Sequence, residues 1–191
     1  MIAALTGLGL SAAAGMSAFI PLLTVGLLDR FTTLLTLPPG WQWLGNTWVL
    51  LALGVLLTVD LVGDKVPVAD HILDLFHTVV RPTSGGISFS AGVGSHTVHL
   101  DGASETSGAE VFGLFVAGLL IALAVHVVKA TTRGVANIAT AGAAAPVFST
   151  VEDGAAVALS LSAVLLPVAV LGVLVLMVWA FVRLVRRRAR T

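Results

Sequence analysis

Residues 6–23 read "TGLGLSAAAGMSAFIPLL", and the way this stretch folds decides how the rest of the chain can be arranged around it. It is apolar enough for lipid, yet it is built from residues that weaken a helix: Gly7, Gly9, Gly15 and Pro21. A proline inside a helix removes one backbone hydrogen bond and clashes with the preceding turn, which predicts a kink near Ser17. Ser11, Ala14, Gly15 and Ala18 recur at spacings of three and four, so one face is small and another helix can approach closely. Two consequences stay open. Either the small face serves packing alone, or the stretch unwinds and turns backbone carbonyls toward a solute path.

Composition identifies the solvent. Of 191 residues, 57% are hydrophobic and 10% charged, with a mean hydropathy of +1.03. Soluble domains carry about 25% charged residues, so the chain reads as a single integral membrane domain over 1–191. A net charge of zero argues against nucleic acid, whose phosphates need a basic surface. With no cysteine, thiolate metal sites and c-type haem attachment are excluded. No Gly-x-Ser-x-Gly elbow, Walker loop or His-Glu-x-x-His motif occurs, so neither catalysis nor a cofactor is expected.

About twenty apolar residues cross a bilayer core. Residues 1–29, 48–64, 111–133 and 153–183 meet that measure, while 66–81 and 135–149 are shorter and either cross as short helices or re-enter. Residues 83–110 contain no Lys or Arg, whereas "RLVRRRART" at 183–191 contains five arginines. Basic residues mark the cytoplasmic side. The expectation is an all-α polytopic transmembrane helical bundle of about six segments, with 83–110 as an outer loop and both termini cytoplasmic. The outer loop carries His96 and His99, read as a solvated pair, on a stretch patterned like a hairpin. Trp41, Trp43 and Trp48, beside Pro38-Pro39-Gly40, read as interfacial anchors in contact with the lipid bilayer. Such short segments leave buried surface to complete, which makes a homo-oligomer an expectation. A faint internal repeat sets "LALGVLLTVDLVGDKVPVADHI" against "FVAGLLIALAVHVVKATTRGVANI", with Asp60 opposite His126; repeats of this kind build many transporters.

Helical spacing sorts the charges. Asp60 and Asp64 are i,i+4. Asp70, Asp74, His77 and Arg81 follow one face of 66–81, and His126, Lys129 and Arg133 line one face of 111–133. Ser149 and Glu152 match a capping box opening the last segment, with Asp153 beside them. An ionisable group at membrane depth costs at least about 2.5–3.5 kcal/mol, so each needs a partner, water or the interface. Three readings are open: solvated groups at the inner surface, a structural ion-pair network, or a polar cavity for an ion or small polar solute. The cavity would draw on Asp60, Asp64, Lys65, Asp70, Asp74, His77, His126, Lys129, Arg133, Glu152 and Asp153. Their oxygens suit Mg²⁺, Ca²⁺ or Mn²⁺, but no tight ligand motif accompanies them, so any metal is unknown.

Four motifs in this order, "GMSAFIPLL", "DKVPVAD", "HVVKATTR" and "STVED", resemble the bacterial membrane-protein family catalogued as domain of unknown function 4126. The resemblance covers nearly the whole chain and implies an integral protein of the bacterial inner (plasma) membrane with no established activity. Carried over, the motif positions are Asp64, Lys65, Pro67 and Asp70, then His126, Lys129 and Arg133, then Ser149, Glu152 and Asp153. The expected function is that of a small transporter or channel; the alternative is a non-catalytic membrane scaffold held by structural ion pairs.

Overall fold

The computed structural model describes residues 1–63, 67–97, 108–140, 145–176 and 179, and the side chains among them except those of 67–75, 96–97 and 135–139. Asp64 and Lys65 therefore lie outside the described residues, as do the side chains of Asp70 and Asp74. The described chain is helical apart from two short strands: α1 (Ile2–Met16), α2 (Phe19–Phe31), β1 (Leu35–Thr36), a 3₁₀ helix at Pro39–Gly45, α3 (Thr47–Gly63), α4 (Pro67–Gly94), β2 (His96–Thr97), α5 (Gly108–Thr140) and α6 (Ala145–Leu165). Strands β1 and β2 pair antiparallel, Leu35 with Thr97 and Thr36 with His96.

The kink predicted near Ser17 is a full break. Ser17 is extended (φ −141°, ψ 120°), and its N–H closes the last turn of α1 on the Ala13 carbonyl at 2.9 Å. Pro21 then falls at the third position of α2, where the N–H it lacks would have had no helical partner. The proline starts a second helix instead of bending the first.

The two helices form a hairpin, as their neighbours show. A Cβ on Gly7 would meet Val93 and Phe89, near the end of α4, whereas one on Gly15 would meet Ala122 and Val125, deep in α5. The far end of α2 returns to the start of α1's level: Asp29 accepts the Leu37 N–H at 2.8 Å, and β1 follows directly to pair with β2, which follows α4. The start of α1, the end of α2 and residues 95–97 thus share one end of the molecule. This corrects the expectation of a single segment over 1–29. The reversal at Ser17 and Ala18 is the physical reason.

Three further boundaries are corrected. Residues 83–94 are buried helix, not loop, because α4 passes through Pro82; a packed apolar helix tolerates the lost bond at such a position. Residues 135–149 form no segment of their own, since α5 is continuous to Thr140 and α6 begins at Ala145. Ser149 consequently lies inside α6, and the capping box is not formed. The repeat is matched in its unequal halves only as sequence, because α3 stops at Gly63 where α5 runs on. Near Pro167 the chain leaves α6 and bends back: Ala163 and Val170, on either side of it, both approach the same face of Gly9. Helix resumes over 169–176.

Two helical stretches, Gly108–Gly134 and Ala145–Leu165, are long and apolar enough to cross a membrane, and a third if Pro39–Gly45 and Thr47–Gly63, bent by 62°, count as one. The outer faces agree with that reading, since Val55, Val59, Phe112, Leu120 and Leu166 are exposed. The core gathers around α1, where Leu10, Ala12 and Ala13 are buried against α4, α5 and α6. Close approach of α4 and α5 rests on Gly85 and Gly118, for a Cβ on Gly118 would lie 2.5 Å from the Gly85 carbonyl oxygen. Ser11 locks α1 to this crossing by donating to the Gly118 carbonyl at 2.6 Å. Gly118→Ala is therefore expected to cost about 1–3 kcal/mol by overpacking. Gly113→Ala, on the same helix with nothing within 4 Å, should change stability by less than about 0.5 kcal/mol. Equilibrium unfolding in mixed micelles checks both.

Candidate functional site at the tip of the helical hairpin

Breaking a helix inside an apolar bundle frees backbone groups that water cannot reach, and each needs a partner. The charged side chains singled out by spacing supply them. Lys129 of α5 donates to the Met16 carbonyl, the last of α1, at 2.7 Å, where a cation also suits the negative end of the helix dipole. Ser84 of α4 donates to the Ala18 carbonyl. Ser17 Oγ lies 3.5 Å from Asp60 Oδ2 on α3, so the carboxylate sits toward the start of α2, whose dipole favours an anion. Along α3, Asp60 is about 20 Å from Thr47, so the tip reaches well into the bundle.

A second set of contacts runs sideways from Asp60. His77 Nε2 is 3.0 Å from Asp60 Oδ1; His77 Nδ1 is 2.9 Å from Arg81 Nη2; and Arg81 Nη1 is 3.2 Å from His126 Nδ1. A guanidinium has only donors, so both imidazoles must present a lone pair to it at Nδ1. That assigns each ring proton to Nε2, toward Asp60 in His77 and toward Thr78 Oγ1, 3.5 Å away, in His126. Arg81 is fully buried, and Asp60, His77 and His126 are almost so.

Glu152 of α6 completes the cluster. Its Oε2 is 3.0 Å from Lys129 Nζ and 3.8 Å from Arg133 Nη1. Both this oxygen and Asp60 Oδ1 are buried and reach their cationic or imidazole partners at contact distance without an aligned hydrogen bond. Asp153 accepts from Ser149 Oγ at 3.5 Å and lines a cleft between α2, α3 and α6. Among the described residues, no group of three His, Asp or Glu side chains is placed to hold a metal ion.

Of the predicted residues, the fold brings together Asp60, His77, His126, Lys129, Arg133 and Glu152. Sequence reasoning put Arg81 on the right face but left it out of the cluster it centres. It named Ser17 only as a kink and missed Thr78 and Ser84. Ser84 continues the His77–Arg81 face at i+3 from Arg81, a signal hidden because "RPTSGG" at 81–86 reads as a chain break.

Fold and site together define a predominantly helical protein with a buried ionic cluster at a helix reversal, in which two to three helices among the described residues can span a membrane. The chain belongs to the family described as domain of unknown function DUF4126, whose model matches residues 4–187. No curated protein and no solved structure matches it.

Removing one partner of a buried ion pair strands the other charge. Glu152→Gln should thus destabilise the protein by about 3–5 kcal/mol. In a Lys129→Gln background the same change should cost at least about 1 kcal/mol less, because one of the two stranded cations is gone. A double-mutant cycle read by equilibrium unfolding measures the difference.

Proposed function

We propose that this is a multi-pass protein of the bacterial inner membrane that moves an ion or small polar solute, with the hairpin tip as the binding site. The observation that carries this reading is the chain reversal at Met16–Ala18, buried and met by Asp60 of α3, Ser84 of α4 and Lys129 of α5. Interrupted helices whose ends turn toward polar groups are how many transporters build a site within the bilayer. The two imperfectly satisfied carboxylate oxygens, on Asp60 and Glu152, give an entering cation or donor something to bind. Intramembrane ionisable groups are expensive, which favours a role over accident.

In this reading α1 and α2 form a re-entrant hairpin, entering from the side of residues 95–97, and α3 to α6 cross. That makes six membrane-embedded helices of different bounds from those the hydropathy suggests. The arginines at 183–190 put the C-terminus in the cytoplasm. The protein is not catalytic and needs no cofactor. A homo-oligomer would cover part of the exposed apolar surface of α3 and α6.

A second reading has its own observation. Each described ionisable side chain of the cluster lies at contact distance from another, as in a structural network of a membrane scaffold. Proteoliposomes separate the two. Transport predicts flux of H⁺, Na⁺ or K⁺, read with pH- and ion-sensitive dyes, that falls by about tenfold or more in Asp60→Asn while the variant stays folded and monodisperse. Absence of flux, with Asp60→Asn merely destabilised, supports the scaffold.

A further inference from the structure

One face of α4 is polar from the ionic cluster to the far end of the helix. His77, Arg81, Ser84, Ser88, Ala91 and Ser95 fall within about 40° of one line along it, and each is 3% exposed or less. Five of these six positions are polar, in a chain that is 57% hydrophobic. The stripe is about 27 Å long at about 1.5 Å per residue, close to the roughly 30 Å of a bilayer's hydrocarbon core. Its far end, Ser95, adjoins strand β2 at the end of the molecule shared with the start of α1.

The hydroxyls on the stripe are not alike. Ser84 donates to the Ala18 carbonyl, and Ser95 to the Gly92 carbonyl at 2.9 Å. Ser88, between them, is buried, and its Oγ has no hydrogen-bond partner among the described residues. Packing accounts for Ser84 and Ser95 but leaves Ser88 unexplained, because a buried hydroxyl costs free energy unless something bonds it. From Ser84 the hydroxyls continue around the hairpin tip: Ser17, the residue before Ala18, places its Oγ 3.5 Å from Asp60 Oδ2. They therefore lead from Ser95 to a buried carboxylate without passing through the Arg81 guanidinium, which only donates.

The same geometry says what can travel there. A metal cation that sheds its water needs a ring of oxygens. These hydroxyls stand singly, about 6 Å apart from Ser84 to Ser88 and about 10 Å from Ser88 to Ser95. The flanking glycines keep the passage narrow: a Cβ on Gly85 would collide with Ala122, and one on Gly92 would lie 2.8 Å from the Leu10 side chain. A single file of water, held at each rung by a serine oxygen, is the widest content that such packing admits.

We propose that the buried polar face of α4, from Ser95 through Ser88 and Ser84 to Ser17, is the route by which protons carried on a single file of water reach Asp60. The inference rests on the transport reading and names its ion. Asp60 Oδ2 receives the proton. Each water passes one proton forward and gains one from behind, so only the carboxylate changes its bound hydrogens. Among the described residues, the groups facing Asp60 are Ser17 of the hairpin, His77 and Arg81 of α4, and Lys129 of α5.

The chain has no cysteine, so one introduced thiol gives one S–H stretching band. Ser88→Cys is compared in proteoliposomes with Ser160→Cys of α6. The Ser160 hydroxyl is also buried without a partner among the described residues, but it stands between Ala156 and Ala163 on its face and not in a row of hydroxyls. On transfer to heavy water, infrared spectra should show the thiol at 88 exchanging at least about tenfold faster than the thiol at 160. Ser88→Val should lower H⁺ flux by about tenfold or more, and Ser160→Val should leave it within about twofold, both variants being monodisperse. If Ser88→Val does not fold, the thiol exchange decides the route by itself. Na⁺ or K⁺ flux without H⁺ flux would overturn the ion assigned here and leave transport standing. Exchange at 88 no faster than at 160, or H⁺ flux untouched by Ser88→Val, would overturn the route in the same way. No flux of any of the three ions would remove the transport reading, and this inference with it.

Discussion

The structure turns on the reversal of the chain at Ser17 and Ala18, within apolar surroundings. A backbone that stops being helical there must find partners for the groups it frees, because no water competes for them. The Met16 carbonyl takes the Lys129 ammonium and the Ala18 carbonyl takes the Ser84 hydroxyl, while Ser17 faces Asp60. Three helices are thereby fastened to three consecutive residues. The glycines that bring α1, α4 and α5 together exist to let this happen, since Lys129 and Ser84 can reach the tip only if the helices pack at backbone distance.

The charges follow from the same constraint. Lys129 at the tip requires a counter-charge, which Glu152 provides; Asp60 requires one in turn, which arrives through His77 and Arg81. The order of the chain Asp60–His77–Arg81–His126 follows donor and acceptor capacity, since the guanidinium only donates and each imidazole meets it with the Nδ1 lone pair. Such a network is costly in a membrane and is either fully matched or responsive. Two carboxylate oxygens with imperfectly aligned partners put this one nearer the responsive kind.

Much of the site was legible as residue type and spacing. Helical periodicity placed His77 with Arg81 and His126 with Lys129 and Arg133, and the rarity of charges in so apolar a chain marked them as belonging together. Pairing was not legible. The Lys129–Glu152 pair is an example, because which helices touch depends on the direction of α1, and that depends on the break. Asp153 shows the same limit from the other side: adjacent to Glu152 in sequence, it is turned by about 100° on the helix and serves a different surface.

What the sequence by itself determined is a helical membrane-type chain, a weak point at Ser17, and the set of ionisable faces. These are local or compositional properties, carried by side-chain chemistry within a few turns. Only the tertiary structure decided that the weak point is a hairpin and not a kink, that α4 runs through Pro82 and buries 83–94, and that α5 continues where a segment boundary was expected. Proline and glycine mark where a helix can be interrupted. Whether it is interrupted depends on what waits beside the freed backbone: a hydroxyl and an ammonium meet it at Met16–Ala18, whereas α4 carries on through Pro82.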